Sequence, residues 1–193
     1  MTVSILKRRI SIVEPKPKNA FAVWVTGLPA SGKSTLVTSL KAQLAGRGID
    51  VAVLESDVLR RDLTVRPDYD EQERETFYRQ MVYIGKLLTQ HGVPVIFDAT
   101  ANRRRYRNAA REQIPRFIEV YVECPLDICV ARDPKGIYRK ARSGEAENVP
   151  GLQSAYEPPE QPALVVDGVR ELPEAAARRV MIKLAEKGYI CAD

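Results

Sequence analysis

Histidine is nearly absent: His91 is the only one in 193 residues. A histidine metal cage and a histidine acid–base pair are both excluded. Cysteine is scarce too. Cys124, Cys129 and Cys191 form no Cys-x-x-Cys pair and are odd in number, which points to reduced thiols and a cytoplasmic setting. No apolar run approaches the ~18 residues of a membrane span. Basic residues near the N-terminus (Lys7, Arg8, Arg9) are not followed by the apolar stretch and small-residue site of a signal peptide. Aromatic residues make up only 7%, and the net charge is only +5. That excess suits a small anionic ligand but does not by itself argue for nucleic acid.

What remains is the composition of an ordinary domain, 45% hydrophobic and 28% charged, long enough to need no disulfide or metal staple. Residues 1–19 read as an extension ending in Pro15-Lys16-Pro17-Lys18, and 20–193 as one domain. Phe21–Val25 is almost wholly apolar, as in a strand buried on both faces. Further short apolar runs occur at Val51–Leu54, Val93–Phe97, Phe117–Val122 and Ala163–Val166. Leu36, Leu40 and Leu44 mark one helix; Phe77, Met81, Ile84 and Leu88 mark a second; Glu174–Lys187 reads as a closing helix. This alternation implies right-handed crossovers and a parallel five-stranded sheet covered on both faces, a three-layer α/β fold. Between Asp133 and Gln161 apolar residues thin out and prolines collect (Pro134, Pro150, Pro158 and Pro159, with Pro162 just beyond), a long excursion of the kind that forms lids.

Gly27-Leu28-Pro29-Ala30-Ser31-Gly32-Lys33-Ser34 matches G-x-x-x-x-G-K-[ST], and Thr35 follows. The preceding strand and following helix supply the context of a phosphate-binding P-loop. Glycines let successive N–H groups converge on one phosphate, and the helix start adds its dipole. Lys33 would reach the β/γ-phosphates and Ser34 would offer an oxygen to Mg²⁺. Asp57 and Asp98 each follow an apolar strand, where ligands of open α/β sheets bind. Asp57 is a candidate base or metal partner, and Asp98 is by local pattern the better Walker-B-like metal candidate. Each is equally a candidate cap, Asp57 for a helix over 58–62 and Asp98 for one starting near Asn102.

Downstream, Arg132-Asp133-Pro134-Lys135-Gly136-Ile137-Tyr138-Arg139-Lys140-Ala141-Arg142-Ser143-Gly144-Glu145 and Tyr156-Glu157-Pro158-Pro159 closely resemble the lid of adenylylsulfate (APS) kinases. The resemblance covers about residues 21–170. It implies a P-loop kinase with a mobile lid over about 133–160, using ATP and Mg²⁺ to phosphorylate the 3′-hydroxyl of adenylylsulfate, and a possible homodimer. It implies nucleotide contacts from Gly27, Ala30, Ser31, Gly32, Lys33, Ser34, Thr35 and Arg132; Ser34, Asp57 and Asp98, the last read from its place after an apolar strand alone, are the candidate metal contacts. Asp57 and Arg60 fall on the family's D-G-D-x-x-R element, and Tyr69–Arg74 on G-F-S-x-x-D-R. The implied acceptor ligands are Asp57, Arg60, Tyr69 as an adenine platform, Arg74, Arg79, Lys135, Arg139, Val149, Gly151 and Leu152. Lys33, Asp57 and Arg142 are implied as catalytic.

Several positions differ from the family's pattern. Val149 stands where the family has a second stacking Phe, Gln153 where it has Asp, and Glu147 where it has Lys. Phe97-Asp98-Ala99-Thr100-Ala101-Asn102-Arg103 replaces F-I-S-P-Y-R. These differences keep two alternatives open: a kinase of another hydroxylated anionic metabolite or a polynucleotide 5′-end, and a nucleotide-binding regulator without turnover. The basic run Arg103-Arg104-Arg105 with Arg107 and Arg111 reads first as a solvated helix face, second as arginines turned onto a substrate anion, and last as a nucleic-acid patch. His91 carries no expected role; Trp24, Cys124 and Cys129 read as core.

Overall fold

A computed structural model of the chain describes residues 20–65 and 67–192. The extension over 1–19 lies outside the described residues. Five strands form one sheet: β1 (Ala22–Thr26), β2 (Ala52–Glu55), β3 (Val95–Asp98), β4 (Phe117–Glu123) and β5 (Leu164–Asp167). Every pairing is parallel, in the order β2-β3-β1-β4-β5. The central strand β1 is buried at all five positions, as its unbroken apolar run predicts.

Alternation along β1 divides the core. Val23 and Val25 face a cluster built with α1 (Lys33–Gly46) and α7 (Pro173–Glu186). Ala22 and Trp24 face the other, built with α3 (Glu71–Gln90) and α4 (Arg104–Gln113). Trp24 stacks on Phe97 at 4.5 Å between ring centroids, and its Nε1 donates to Ala99 O at 3.1 Å. A third, small cluster joins Cys124, Cys129, Tyr138, Ala141 and Val149 under the excursion. The excursion is thus partly built: α5 (Leu126–Arg132) precedes it and α6 (Ile137–Arg142) lies within it. Cys124 and Cys129 are both core, Cys124 just after β4 and Cys129 on α5.

Helix starts explain where the apolar pattern falls short. The α3 helix begins six residues before Phe77, because Asp70 caps it by accepting from Glu73 N at 2.7 Å. The short helix α2 spans Ser56–Leu63, so Asp57 lies in its first turn instead of capping it. Asp98 caps nothing either. The α4 helix starts at Arg104 and is capped from outside, by Glu157 Oε2 accepting from Arg104 N at 2.9 Å. Among the described residues no helix is long and apolar enough to cross a membrane.

Candidate functional site

The turn from β1 into α1 bends through Gly27 (φ 154°), Ala30 (φ 61°) and Gly32 (φ 107°). Gly27 permits this by size as well as conformation. A Cβ there would stand 2.5 Å from Val122 O and 2.7 Å from Ser31 Oγ. Ser31 Oγ is buried and has no hydrogen-bond partner. An orphaned hydroxyl inside a curl of backbone amides fits an oxyanion that is bound there in use.

In front of this turn lies a cavity of about 700 Å³. Ala30, Ser31, Gly32, Lys33, Ser34 and Thr35 line its floor, and Asp57, Asp98 and Thr100 come from the ends of β2 and β3. Arg132, Asp133, Pro134 and Lys135 close one side, and Asp167, Gly168 and Val169 the other. These are the carboxyl ends of parallel strands, where such sheets bind ligands.

Lys33 is 9% exposed and folds back to donate to Leu28 O at 2.8 Å and Gly27 O at 3.2 Å. Burial pushes its ammonium below the ordinary lysine value; the carboxylates of Asp98 and then Asp57 oppose that shift. Asp57 is half exposed and accepts from Lys135 Nζ at 2.6 Å, with Glu55 at 3.9 Å from the same nitrogen. That hydrogen bond raises the Lys135 pKa. Asp98 is buried at the end of β3, in register with Val25 on one side and Glu55 on the other. Arg132 donates to Gly168 O at 2.7 Å.

Ser34, Asp57 and Asp98 share this cavity, whereas no cluster of three or more His, Cys, Asp or Glu able to hold a metal occurs among the described residues. One hydroxyl and two carboxylates fit Mg²⁺, which keeps several waters and takes phosphate oxygens as its other ligands.

Other expected residues fall elsewhere. Arg142 is exposed and lines a separate shallow depression with Leu126, Val130 and Leu152. It is not among the residues lining the phosphate cavity, although Tyr138, one turn earlier on α6, donates to Pro29 O at 3.1 Å. Arg139 and Arg79 are exposed and outside the cavity lining. Val149 is 4% exposed within the small cluster, so it offers no open wall to a base. Gly151 packs against Leu28, whose Cδ2 a Cβ there would approach to 2.7 Å.

Arg60 is buried, pairs with Glu73, and has its guanidinium 3.8 Å from the centroid of Phe77 and 4.8 Å from that of Tyr69. Tyr69 is 40% exposed with φ 57°. Arg74 is buried and donates to three protein oxygens.

The basic run is solvated in part: Arg105 and Arg111 are exposed, Arg103 and Arg104 are half-buried, and Arg107 is buried. Arg103 pairs with Glu157, Arg104 with Glu160, and Arg105 with Glu71 and Glu75. Arg107 is 1% exposed and donates to Glu119 Oε1 at 2.6 Å, Glu157 O at 2.6 Å and Ala101 O. The other Glu119 oxygen takes Arg111.

Three participants receive no role from the sequence. Gly168 must be glycine because a Cβ would meet Ser31 O at 2.5 Å and Glu123 O at 2.9 Å; an Asp-Gly pair just after the fifth strand is its only sequence signal. Thr100 lines the cavity, and its carbonyl accepts from Thr26 Oγ1 at 2.7 Å. Tyr156 OH lies 3.0 Å from that same Thr26 oxygen, joining the Tyr-Glu-Pro-Pro run to the residue before the P-loop.

Comparison with known proteins agrees with this geometry. The family profile described as adenylylsulphate kinase matches residues 19–167. An adenylyl-sulfate kinase of Microcystis aeruginosa is 38% identical over 168 residues, 87% of this chain and 93% of that protein. A probable bifunctional SAT/APS kinase 2 of Sorangium cellulosum is 37% identical over 172 residues, and the match spans only 30% of its length. Among solved structures, the Mycobacterium tuberculosis APS kinase CysC in complex with AMPPNP and APS superposes with a TM-score of 0.82 at 32% identity, covering 87% of this chain and 99% of that one. With its P-loop, its strand order and a family match over most of its length, this chain belongs to the adenylylsulphate kinase family.

Proposed function

We propose that the chain transfers the γ-phosphoryl group of ATP to the 3′-hydroxyl of adenylylsulfate. The observation that carries this reading is the shared cavity, in which Lys33 and the orphaned Ser31 hydroxyl lie on the P-loop side and Asp57 and Lys135 lie opposite. The acceptor oxygen forms a bond to the γ-phosphorus as the bond to the β-phosphate oxygen breaks. The hydroxyl proton passes to Asp57, and ADP and 3′-phosphoadenylylsulfate leave.

Lys33 and Lys135 offset the charge that spreads over the transferring oxygens, the main source of rate in phosphoryl transfer. Ser34, Asp57 and Asp98 would hold Mg²⁺, which would supply positive charge to offset that of the phosphates. Arg132, tethered to Gly168, flanks the nucleotide side. Arg60 and Tyr69 form the acceptor's platform, a ring backed by a guanidinium. Residues 133–160 act as the lid, with Arg139 reaching the phosphates on closure; exclusion of water from the γ-phosphate keeps ATP from being hydrolysed.

The test is ADP release by a coupled assay, with adenylylsulfate and without it, alongside chromatographic detection of the 3′-phosphorylated product. Acceptor-dependent ADP release with matching product supports the proposal; equal rates with and without adenylylsulfate refute it. The burial of Val149 favours one second reading, a different hydroxylated anion as acceptor. A panel of such alcohols in the same assay separates the two.

A further inference from the structure

Four successive carbonyls in the loop after β3 each take a donor from elsewhere in the chain. Ala99 O accepts from Trp24 Nε1 at 3.1 Å, Thr100 O from Thr26 Oγ1 at 2.7 Å, Ala101 O from Arg107, and Asn102 O from Glu157 N at 2.8 Å. Of these residues Thr100 alone lines the phosphate cavity. The bond from Thr26 is also the only hydrogen bond that Thr100 makes among the described residues. The place of Thr100 at the cavity wall therefore depends on one hydroxyl.

That hydroxyl has a second partner. Thr26 ends β1, is fully buried, and directly precedes Gly27 of the phosphate turn. Tyr156 OH lies 3.0 Å from its Oγ1. A threonine hydroxyl has one proton, and here it goes to Thr100 O, so the tyrosine is the donor in the second bond. Burial holds the Tyr156 phenol above the ordinary tyrosine pKa, so the proton it donates is retained. Its ring is placed independently: Tyr121, in register with Thr26 on β4, stacks against it with centroids 6.2 Å apart. Arg107 repeats the pattern one residue on, donating to Ala101 O and to Glu157 O. The far end of the excursion, at 156–157, is thereby laid along the loop at 100–101, with Thr26 joining one pair and Arg107 the next.

We propose that Thr26 is a positioning residue: its hydroxyl holds Thr100 at the cavity wall and Tyr156 at the far end of the excursion, both in fixed relation to the phosphate turn that starts at the next residue. This rests on the phosphoryl transfer proposed above, but not on which alcohol accepts. Thr100 belongs to the run that replaces the family's F-I-S-P-Y-R, so the resemblance assigns it no role. Removing Arg107 would strand the Glu119 charge in the core. The Thr26 hydroxyl can be removed without stranding a charge, so at this residue position can be separated from folding.

The experiment uses variants of the full chain, with kcat measured as acceptor-dependent ADP release. Thr26→Val keeps the branched shape and loses both hydrogen bonds; it should lower kcat on the order of tenfold. KM for ATP and ADP affinity should stay within about twofold, because the backbone of the phosphate turn is untouched. Thr26→Ser keeps the hydroxyl and should restore kcat to within about threefold of wild type. Tyr156→Phe loses one of the two bonds and should lower kcat about threefold, yet add nothing in the Thr26→Val background, where its acceptor is already gone. A residue that only stabilises the fold would lower Tm and leave kcat unchanged well below Tm. That result, or effects of Thr26→Val and Tyr156→Phe that multiply, overturns the proposal. If Thr26→Val does not fold, Tyr156→Phe, which removes one oxygen from a half-buried ring, decides by its own loss of kcat. If no alcohol supports turnover by the wild-type protein, the transfer reading has failed and hydrogen exchange tests the junction alone. Either substitution should then raise amide exchange at 100–102 and 155–157 together while 31–35 stay protected with ADP bound, and unchanged exchange there would refute it.

Discussion

Gly168→Ala adds one methyl group at a point where the structure leaves no room. The added carbon would stand 2.5 Å from Ser31 O, 2.9 Å from Glu123 O and 3.0 Å from Val122 Cγ1. The first two are backbone oxygens, so no flexible side chain can swing away. Gly168 has no left-handed φ, so the whole effect comes from contact and none from backbone strain. Relief requires the turn after β5 to lift from the phosphate turn, and Arg132 goes with it because its guanidinium donates to Gly168 O. Overpacking of this kind costs about 1–3 kcal/mol. If it falls mainly on the phosphate turn, ADP binding weakens about 5- to 150-fold. Calorimetric titration with ADP and a thermal melt measure the two shares. Gly46→Ala is the control: it lies at the end of α1 with nothing within 4 Å of a built Cβ, so it should leave ADP affinity unchanged. A Gly168→Ala protein that binds ADP within twofold and melts with wild type would refute the argument.

Four further outcomes follow from the same geometry. Glu119→Ala strips Arg107 of its buried partner and should cost about 3–5 kcal/mol in denaturant unfolding. Gly85→Ala, although it improves helix propensity by up to about 1 kcal/mol, should still lower Tm, because its Cβ would lie 2.2 Å from Phe97 Cζ. Lys135→Ala should change stability by less than about 1 kcal/mol, since both it and Asp57 are 56% exposed, yet should sharply lower kcat. Because burial holds Lys33 below its ordinary value of 10.5, two effects of opposite sign should appear as pH rises through its lowered pKa. Its contribution to folding stability increases towards pH 10.5 while ADP affinity falls, because phosphate needs the charged form; Lys33→Met should bind weakly and show no such fall.

The fold was legible wherever one periodicity dominated. All five strands appear within two residues of their apolar runs; the inner strands β1, β3 and β4 are read directly because they are buried on both faces, while β2 and β5 are edge strands only partly buried. The P-loop was legible because its backbone conformation demands glycine at fixed spacing. What stayed hidden depends on pairs distant in sequence. The helix α4 carries an arginine run that reads as solvated, yet Arg107 is among the most buried large side chains of the protein. Its partners, Glu119 and the carbonyls of Ala101 and Glu157, come from three separate segments, and no local pattern announces that they converge. Gly168 was hidden for the same reason, since its constraint is the backbone of residue 31.

The departures from the family's pattern become intelligible as a connected set. Val149 does not leave a hole where an aromatic ring is missing; it fills the small cluster with Cys129 and Tyr138. Gln153 serves that same turn, accepting from Val149 N at 3.1 Å and donating to Ala146 O at 3.1 Å and Ala141 O at 3.4 Å. A carboxylate in its place could accept but could not donate to those two carbonyls. Asn102, likewise, needs both halves of its amide, one to receive Arg74 and the other to hold Ala155. Two amides thus do at 102 and 153 what charged groups could not. Read one at a time, each substitution looks like the loss of a substrate contact. Read by partner, Gln153 and Asn102 fasten the two ends of the segment after α6, so that the segment's shape is set by hydrogen bonds within the protein. Asn102→Asp should therefore release Ala155 O while keeping the acceptor for Arg74.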